Sequence, residues 1–243
     1  NSLEETEGII EKQRMIKDEE EMHSLIKACN ITDDCFSYIL GYIKPGMTEK
    51  QIAHEIDEYY NERTDGVSFD TIVASGENTS KPHAVPTDRK IEEQDIITID
   101  MGCKVDGYCS DMTRTFFVGK VQDEIKNVYD LVLKNQEQAL QEYKDGASTR
   151  QITKMVENDF KLNGYDLIHS LGHGVGLEIH EPPYISSRSD TFLKENMVVT
   201  DEPGIYIPGK FGVRIEDTAQ ITKFGCIKLT NSEKNYIVIN KKD

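Results

Sequence analysis

Residues 44–56 read KPGMTEKQIAHEI, and one hundred residues later residues 144–156 read KDGASTRQITKMV. Each segment begins with a glycine-containing break, which is followed by Thr48 in the first copy and by Ser148 in the second. A glutamine three residues further on completes the capping-box pattern of a helix start, and apolar residues then recur at helical spacing. This constant offset predicts two structurally related halves.

Long helical patterns precede the two copies, over residues 14–42 and 121–143, and strand-like segments follow them. Residues 96–118 are typical of a hairpin that turns near residues 104–107. The predicted strands cover residues 69–74, 96–101, 113–118, 197–200, 204–207, 213–222 and 236–239. Because a regular alternation of strands and helices is absent, the pattern predicts an α+β fold with antiparallel or mixed sheets.

The composition is that of a soluble globular chain. Among 243 residues, Lys+Arg number 28 and Asp+Glu number 44, which gives a net charge of −16, and 37% of the residues are hydrophobic. This charge argues against nucleic acid or an anionic membrane as a partner. No stretch approaches the roughly 20 apolar residues of a bilayer span, and no signal-peptide core opens the sequence.

Five cysteines make an odd count, and none belongs to a C-x-x-C pair. This usage is typical of reduced, mostly buried thiols and predicts a cytoplasmic protein. Residues 1–13 are polar and weakly patterned, so we expect a tail or a linker remnant there and a catalytic domain over residues 14–243.

Four carboxylates occupy unusual places beside predicted strands. Asp100 ends an apolar strand and Asp111 begins the strand that returns from it, while Glu202 and Glu216 lie among strand formers in the second half. A carboxylate in such a place is costly unless it is paired or binds a metal ion. Either aspartate alone would be interpreted as a turn cap, but four such carboxylates predict ligands that converge across a central sheet.

His173 lies in the glycine-rich segment 169–176, where the backbone can approach a bound group closely. Four carboxylates and one imidazole form an oxygen-rich set, which suits Mn²⁺, Co²⁺ or Fe²⁺ better than a thiolate-type zinc site. Such a set can hold two ions about 3.5–4 Å apart. The glycines themselves do not form a dinucleotide-binding loop, because Leu177 replaces the last glycine, and no G-x-S-x-G nucleophile elbow is present.

Several short segments carry a family resemblance, and in them the five candidate ligands stand in the family's order. The segments are KPHA (81–84), GYCSDMTRT (107–115), GHGVGL (172–177), HEPP (180–183) and DEPGIY (201–206). They resemble the pita-bread metallopeptidases, and within them the Xaa-Pro branch that contains aminopeptidase P and prolidase. The resemblance implies two pseudo-twofold-related halves around a curved sheet with outer helices.

The resemblance further implies a centre of two divalent metal ions, with Mn²⁺ preferred and Co²⁺, Fe²⁺ or Zn²⁺ as alternatives. Asp100 would bind one ion, and His173 and Glu202 the other. Asp111 and Glu216 would bridge both ions.

The activity implied is hydrolysis of the Xaa-Pro bond, at the N-terminus of peptides or in dipeptides. A metal-bridging hydroxide would be the nucleophile, with Glu202 as its proton shuttle. His83 and His180 would donate hydrogen bonds to the substrate and to the intermediate. Arg214 and Tyr108 are further candidate substrate contacts.

Two alternatives remain open at this point. A methionine aminopeptidase shares the fold and ligand order, although the spacing of 14 residues between Glu202 and Glu216 favours the Xaa-Pro form. A non-catalytic pita-bread binding module would lack the five ligands. Full-length Xaa-Pro relatives carry a further N-terminal domain, which this sequence does not show, and we expect the full-length protein to be a homodimer. Gln94-Asp95 replaces a common Gly-Asp pair, from which we expect a local change in a turn.

Overall fold

The helices alternate with groups of strands along the chain. The computed structural model describes residues 8–188 and 191–239. The helices in these ranges are Ile9–Arg14 (α1), Glu19–Tyr42 (α2), Glu49–Asn61 (α3), Asp123–Glu142 (α4) and Thr149–Leu162 (α5). Of the expected tail, residues 1–7 lie outside the described residues, whereas α1 is helical and has no buried residue. The division into a tail and a domain stays a prediction.

The two capped helices begin where the repeated pattern predicts. Thr48 and Gln51 form a reciprocal capping box at the start of α3, and the Ser148 hydroxyl accepts a hydrogen bond from Gln151 N at the start of α5. Helix α2 begins at residue 19 and not near residue 14, because Asp18 caps its N-terminus. Equivalent positions of α3 and α5 are buried in both halves: Ile52 and Ile152, Ile56 and Val156, Tyr60 and Phe160.

The strands form two larger sheets and two small ribbons. The first four strands to appear are Ile72–Ser75 (β1), Ile96–Met101 (β2), Lys104–Val105 (β3) and Tyr108–Cys109 (β4). The middle group contains Met112–Val118 (β5), Gly172–Gly174 (β6), Glu181–Ile185 (β7), Val198–Asp201 (β8) and Gly204–Ile207 (β9). The last four are Phe211–Arg214 (β10), Asp217–Ile221 (β11), Cys226–Lys228 (β12) and Val238–Ile239 (β13). Their orders are β1-β2-β5-β13 and β12-β11-β8-β6-β7, with the ribbons β3-β4 and β10-β9.

All described strand pairs are antiparallel except β13, which runs parallel to β5, so the predicted α+β class with mixed sheets is confirmed. The sequence pattern missed β6, β7 and β12, and it predicted one strand over residues 213–222 where β10 and β11 are separate. The interruption falls at Glu216. Its backbone N–H donates to Thr113 O of β5 at 3.1 Å and so takes no part in the hydrogen bonding of β10 or β11.

Each half has its own core. Helices α2 and α3 pack on β1, β2 and β5, and helices α4 and α5 pack against the strands of the five-stranded sheet. This arrangement matches the two related halves that the sequence repeat predicts. Four of the five cysteines are buried and all five are free thiols, as predicted. None of the described helices has both the length and the apolar composition that a bilayer span requires.

Strand β5 of the first half meets β10 and the start of β11 in the second half. Thr115 Oγ1 donates to Arg214 O at 2.8 Å and accepts from Arg214 N at 3.2 Å. Two residues earlier on β5, Thr113 Oγ1 donates to Glu216 Oε2 at 2.7 Å. These bonds join the halves at the point where the candidate ligands lie.

Candidate metal centre and active site

The candidate ligands line one cavity of about 490 Å³ between the halves. Its walls include eight of the nine residues predicted for the site: Asp100, Asp111, His173, Glu202, Glu216, His83, His180 and Arg214. Asp100 lies near the end of β2, opposite Thr113 of β5, and Asp111 directly precedes β5. The hairpin therefore carries both aspartates to the same end of the sheet, as its sequence predicts.

His173 is held so that one ring nitrogen faces the carboxylates. Its Nδ1 lies 3.1 Å from Gly174 O, and a carbonyl oxygen only accepts, so Nδ1 carries the hydrogen. The opposite nitrogen, Nε2, lies 3.5 Å from Asp111 Oδ2 and 3.3 Å from Glu202 Oε1. One potential ligand atom from each of Asp111, His173 and Glu216 lies within 4.8 Å of the others.

The glycines around His173 are required by close backbone packing. A Cβ on Gly172 would lie 2.1 Å from Thr200 O, and a Cβ on Gly174 would lie 2.3 Å from Pro182 O. Strand β6 therefore approaches β8 on one side and β7 on the other more closely than a side chain permits. His173 N also donates to Thr200 Oγ1 at 3.0 Å, which fixes the backbone that carries the imidazole.

The electrostatics of this cavity are dominated by burial. Burial raises the pKa of Glu202 to about 8, with the Asp100 carboxylate acting in the same direction and Arg214 against it. Burial, followed by repulsion from neighbouring carboxylates, also raises the pKa of Asp111 and of Glu216 well above the usual range. Burial, with His180 in second place, lowers the pKa of His173 to about 3, so its imidazole is neutral.

These residues fit divalent cations. A neutral imidazole nitrogen that faces two carboxylates presents only lone pairs, and lone pairs at 3.3–3.5 Å repel unless a proton or a cation lies between them. Asp100 Oδ1 is buried and has no hydrogen-bond partner among the described residues. Carboxylate oxygens with a single imidazole form a donor set suited to hard or borderline divalent ions.

Arg214 organises the wall beside Asp100. Its Nη2 donates to Asp100 Oδ2 at 2.7 Å, and its Nη1 donates to Tyr206 Oη at 2.8 Å and to Pro82 O at 3.0 Å. Its Nε donates to Thr113 Oγ1 at 3.0 Å, and that hydroxyl is the one that donates to Glu216. Arg214 therefore supports ligands of both halves while it lines the cavity.

The remaining predicted site residues separate into two groups. His83 lines the cavity, and the His180 ring centroid lies 4.3 Å from that of His173. Tyr108 is not part of the described cavity wall, and its hydroxyl instead donates to Glu21 Oε1 at 2.8 Å. The structure therefore brings the two histidines to the ligands but places Tyr108 against helix α2.

His169 and Tyr206 were missed as site residues. His169 Nδ1 lies 2.8 Å from Ser170 O, so Nδ1 carries the hydrogen and Nε2 accepts from Tyr206 Oη at 3.0 Å. Burial, together with Arg214, lowers the pKa of His169 to about 4. Each lies four residues from a candidate ligand in the sequence, but their contact joins residues 37 positions apart, and the sequence carries no signal for it.

Fold and site together define a class: a pita-bread protein with a buried, carboxylate-rich centre suited to divalent metal ions. The chain belongs to metallopeptidase family M24, whose family model matches residues 23–223. It is 41% identical to a Xaa-Pro dipeptidase of Pyrococcus furiosus over 236 residues, which cover 95% of the chain and 67% of that protein.

Solved structures give the same relationship. A Xaa-Pro dipeptidase of Bacillus anthracis is similar with a TM-score of 0.93 and 42% identity, over 96% of this chain and 66% of that one. An X-Pro aminopeptidase of Thermotoga maritima is similar with a TM-score of 0.92 and 40% identity, over 95% of this chain and 66% of that one. The chain thus spans about two thirds of the length of these relatives.

Proposed function

We propose that this chain is the catalytic domain of a metallo-exopeptidase that hydrolyses Xaa-Pro bonds, at the N-terminus of peptides or in dipeptides. Membership of family M24 supports peptide hydrolysis, and the similar proteins named as Xaa-Pro dipeptidase and X-Pro aminopeptidase support the proline preference. The observation that carries the proposal is the buried cluster of Asp111, His173 and Glu216 in the cavity that joins the halves.

The proposed centre holds two divalent cations, with Mn²⁺ preferred over Co²⁺, Fe²⁺ or Zn²⁺. Asp100 would hold one, His173 and Glu202 the other, and Asp111 and Glu216 both. Bound cations would supply the positive charge that polarises a peptide carbonyl and makes a water molecule more acidic.

Glu202 is the proposed proton shuttle. Its side chain is 18% exposed and lines the cavity, so it reaches both buried ligands and an incoming peptide. Burial raises the pKa of this carboxyl group in the absence of cations, and bound cations would lower it again, so that Glu202 could both release and accept a proton. Glu202 would take the proton of the attacking water and pass it to the departing proline nitrogen.

The walls of the cavity suit a proline-containing peptide. His83 and His180 line the cavity, and we propose that they donate hydrogen bonds to the substrate carbonyl and to the negative charge that develops on it. The Arg214 guanidinium already donates to Asp100 and to Tyr206, so its role is to support these residues and not to bind the substrate. The wall also includes apolar side chains against which a proline ring would pack, among them Phe69, Ile72, Val85, Pro86, Ile179 and Tyr184.

The test is metal-dependent cleavage by the purified chain. Dialysis against a chelator should abolish hydrolysis of Ala-Pro-Ala and Ala-Pro, and Mn²⁺ or Co²⁺ should restore it. A peptide of the Met-Ala-Ala type is the control, since a methionine aminopeptidase would prefer it. Cleavage that withstands chelation would refute the metal role, and fewer than one tightly bound ion per chain after Mn²⁺ addition would favour a binding module.

Variants test the shuttle and the substrate class. Glu202→Gln should lower kcat by at least about 100-fold with Mn²⁺ present, because general acid–base catalysis contributes that much. Glu195→Gln, which changes an exposed carboxylate, is the matched control. Near-normal turnover of Glu202→Gln would reject the shuttle. The ratio of Ala-Pro to Ala-Pro-Ala cleavage assigns dipeptidase or aminopeptidase preference. The homodimer and the cytoplasmic location stay predictions.

A further inference from the structure

A group of three charges, two of them buried, adjoins His180 of the cavity wall. Glu181, the first residue of β7, is 3% exposed and immediately follows His180. Lys17 Nζ donates to Glu181 Oε1 at 2.7 Å, and Arg14 Nη2 donates to Glu181 Oε2 at 2.5 Å. The Lys17 side chain is 1% exposed, so carboxylate and ammonium are both removed from water. Removal of either partner would destabilise the fold, because the other would remain as a buried, unpaired charge.

The loop between β6 and β7 is shaped to admit this carboxylate. A Cβ on Gly176 would lie 2.4 Å from Glu181 Oε1, so a side chain at this position would displace the carboxylate. Glu178 N lies 3.4 Å from Glu181 Oε2, and Gly176 O accepts from Cys109 N at 2.8 Å. The carboxylate therefore fills the concave side of the loop that carries His180.

The two cations are themselves fixed to the rest of the fold. Lys17 N donates to Asn196 O at 2.9 Å, which ties the segment between α1 and α2 to the turn before β8. Arg14 is the last residue of α1, and its Nη1 also lies 3.4 Å from Glu178 Oε1. Glu181 is thus held from a segment that lies more than 160 residues earlier in the sequence.

His180 directly precedes Glu181 in the loop that these contacts hold. Among the described residues its ring has no hydrogen-bond partner, and its recorded ring contact is with His173. The position of the ring is therefore set by the backbone at residues 179–181. The Glu181 side chain fixes this backbone through its bonds to Lys17 and Arg14.

We infer that Lys17 and Arg14 are positioning residues for the proposed reaction: through Glu181 they fix the loop that presents His180 to the substrate. The inference rests on the proposed function for the role of His180, but the anchoring of the loop stands on contacts of its own. It assigns a task in the active site to the segment before α2, where the sequence pattern indicates only a helix start.

The kinetic test is a double-mutant cycle in the Mn²⁺-loaded chain. Lys17→Met, which removes the charge but keeps an apolar side chain of similar length, should lower kcat about 10- to 100-fold with little change in KM, because a small misplacement of a substrate-contacting group costs that much. In a His180→Ala background the same change should have almost no further effect on kcat. Lys17→Arg should restore most of the rate, and Lys134→Met, an exposed lysine of α4, is the control.

Effects of Lys17→Met and His180→Ala that simply multiply would overturn the inference, as would a wild-type rate for Lys17→Met. If Lys17→Met fails to fold, Gly176→Ala reaches the same carboxylate from the other side and should show the same loss of rate.

Hydrogen exchange supplies a readout that does not need activity. Amides of residues 177–181 should exchange faster in Lys17→Met than in the wild-type chain, and unchanged exchange would refute the anchor even if the chain cleaves no Xaa-Pro bond.

Discussion

Removal of divalent cations should make the stability of this protein depend on the protonation of Glu202. Burial raises the pKa of Glu202 from its ordinary value of 4.5 to about 8 in the folded chain. The folded state therefore holds a proton that the unfolded state releases, and stability falls as the pH rises from about 4.5 to about 8 and then levels off. Each pKa unit is worth about 1.4 kcal/mol, so the full effect approaches roughly 5 kcal/mol.

The assay is urea unfolding of the chelated protein at several pH values between 5 and 8, for the wild type and for Glu202→Gln. The buried imidazoles of His169 and His173 have lowered pKa values and act in the opposite direction below about pH 6.5. Both proteins share these histidines, and they share Asp111 and Glu216, whose raised pKa values act in the same direction as that of Glu202, so the difference between the two proteins largely removes these contributions. Glu202→Gln should gain stability over the wild type by about 1.4 kcal/mol for each pH unit in this range.

Saturating Mn²⁺ should reverse the trend. Cations bind the deprotonated carboxylates, so the stabilisation by Mn²⁺ should grow as the pH rises, and it should grow less in Glu202→Gln. A stability difference between the two chelated proteins that stays constant from pH 5 to pH 8 would refute the reasoning. The same conclusion would follow if chelation left the unfolding transition unchanged at pH 8.

Three further predictions, one of them with a control substitution, test how the site and the halves are built. Arg214→Lys should lower both the Mn²⁺ affinity, measured by calorimetry, and kcat/KM by about 10- to 100-fold. The reason is that an ammonium group cannot replace the planar fork of hydrogen bonds that the guanidinium makes. Values within threefold of wild type would contradict this. Gly172→Ala should cost more than about 2 kcal/mol in urea unfolding, because its Cβ would lie 2.1 Å from a backbone carbonyl oxygen, whereas Gly41→Ala, in open space within α2, should stabilise by about 0.5–1 kcal/mol. Equal effects of the two alanines would show that strand approach at β6 is not limiting. Thr48→Ala should cost about 1 kcal/mol by the same assay, and no loss would mean that the capping box at α3 contributes little.

The sequence predicts the parts of this fold that local chemistry determines. The capping residues of α3 and α5 and the hairpin around residues 96–118 follow from short-range patterns, and they lie where the sequence indicates. Strand β6 could not be predicted in this way. Its sequence is Gly-His-Gly, and glycine has a low strand propensity, so only the close approach to Thr200 O and Pro182 O makes it a strand.

The candidate ligands could be predicted because buried carboxylates are unusual, whereas the supporting contacts could not. The bond from Tyr206 to His169 joins residues 37 positions apart, and the bond from Lys17 to Glu181 joins residues 164 positions apart. Neither pair has a spacing that sets it apart from other polar pairs. Tyr108 shows the opposite case, in which a residue beside a ligand motif turns its hydroxyl toward α2.

The division into two halves explains why the centre lies where it does. Asp100 and Asp111 come from the first half and the other candidate ligands come from the second half, so neither half alone assembles the set. Bringing the two groups of carboxylates together is unfavourable by itself, because like charges out of water repel. The fold offsets part of this repulsion with Arg214, a second-half residue that donates to Asp100 of the first half, and with the hydroxyl of Thr113, which donates to Glu216 in the other direction. Protons or divalent cations relieve the repulsion that remains, and it disappears if the two halves separate. Metal binding and the docking of the halves should therefore be coupled, each strengthening the other by the same free energy.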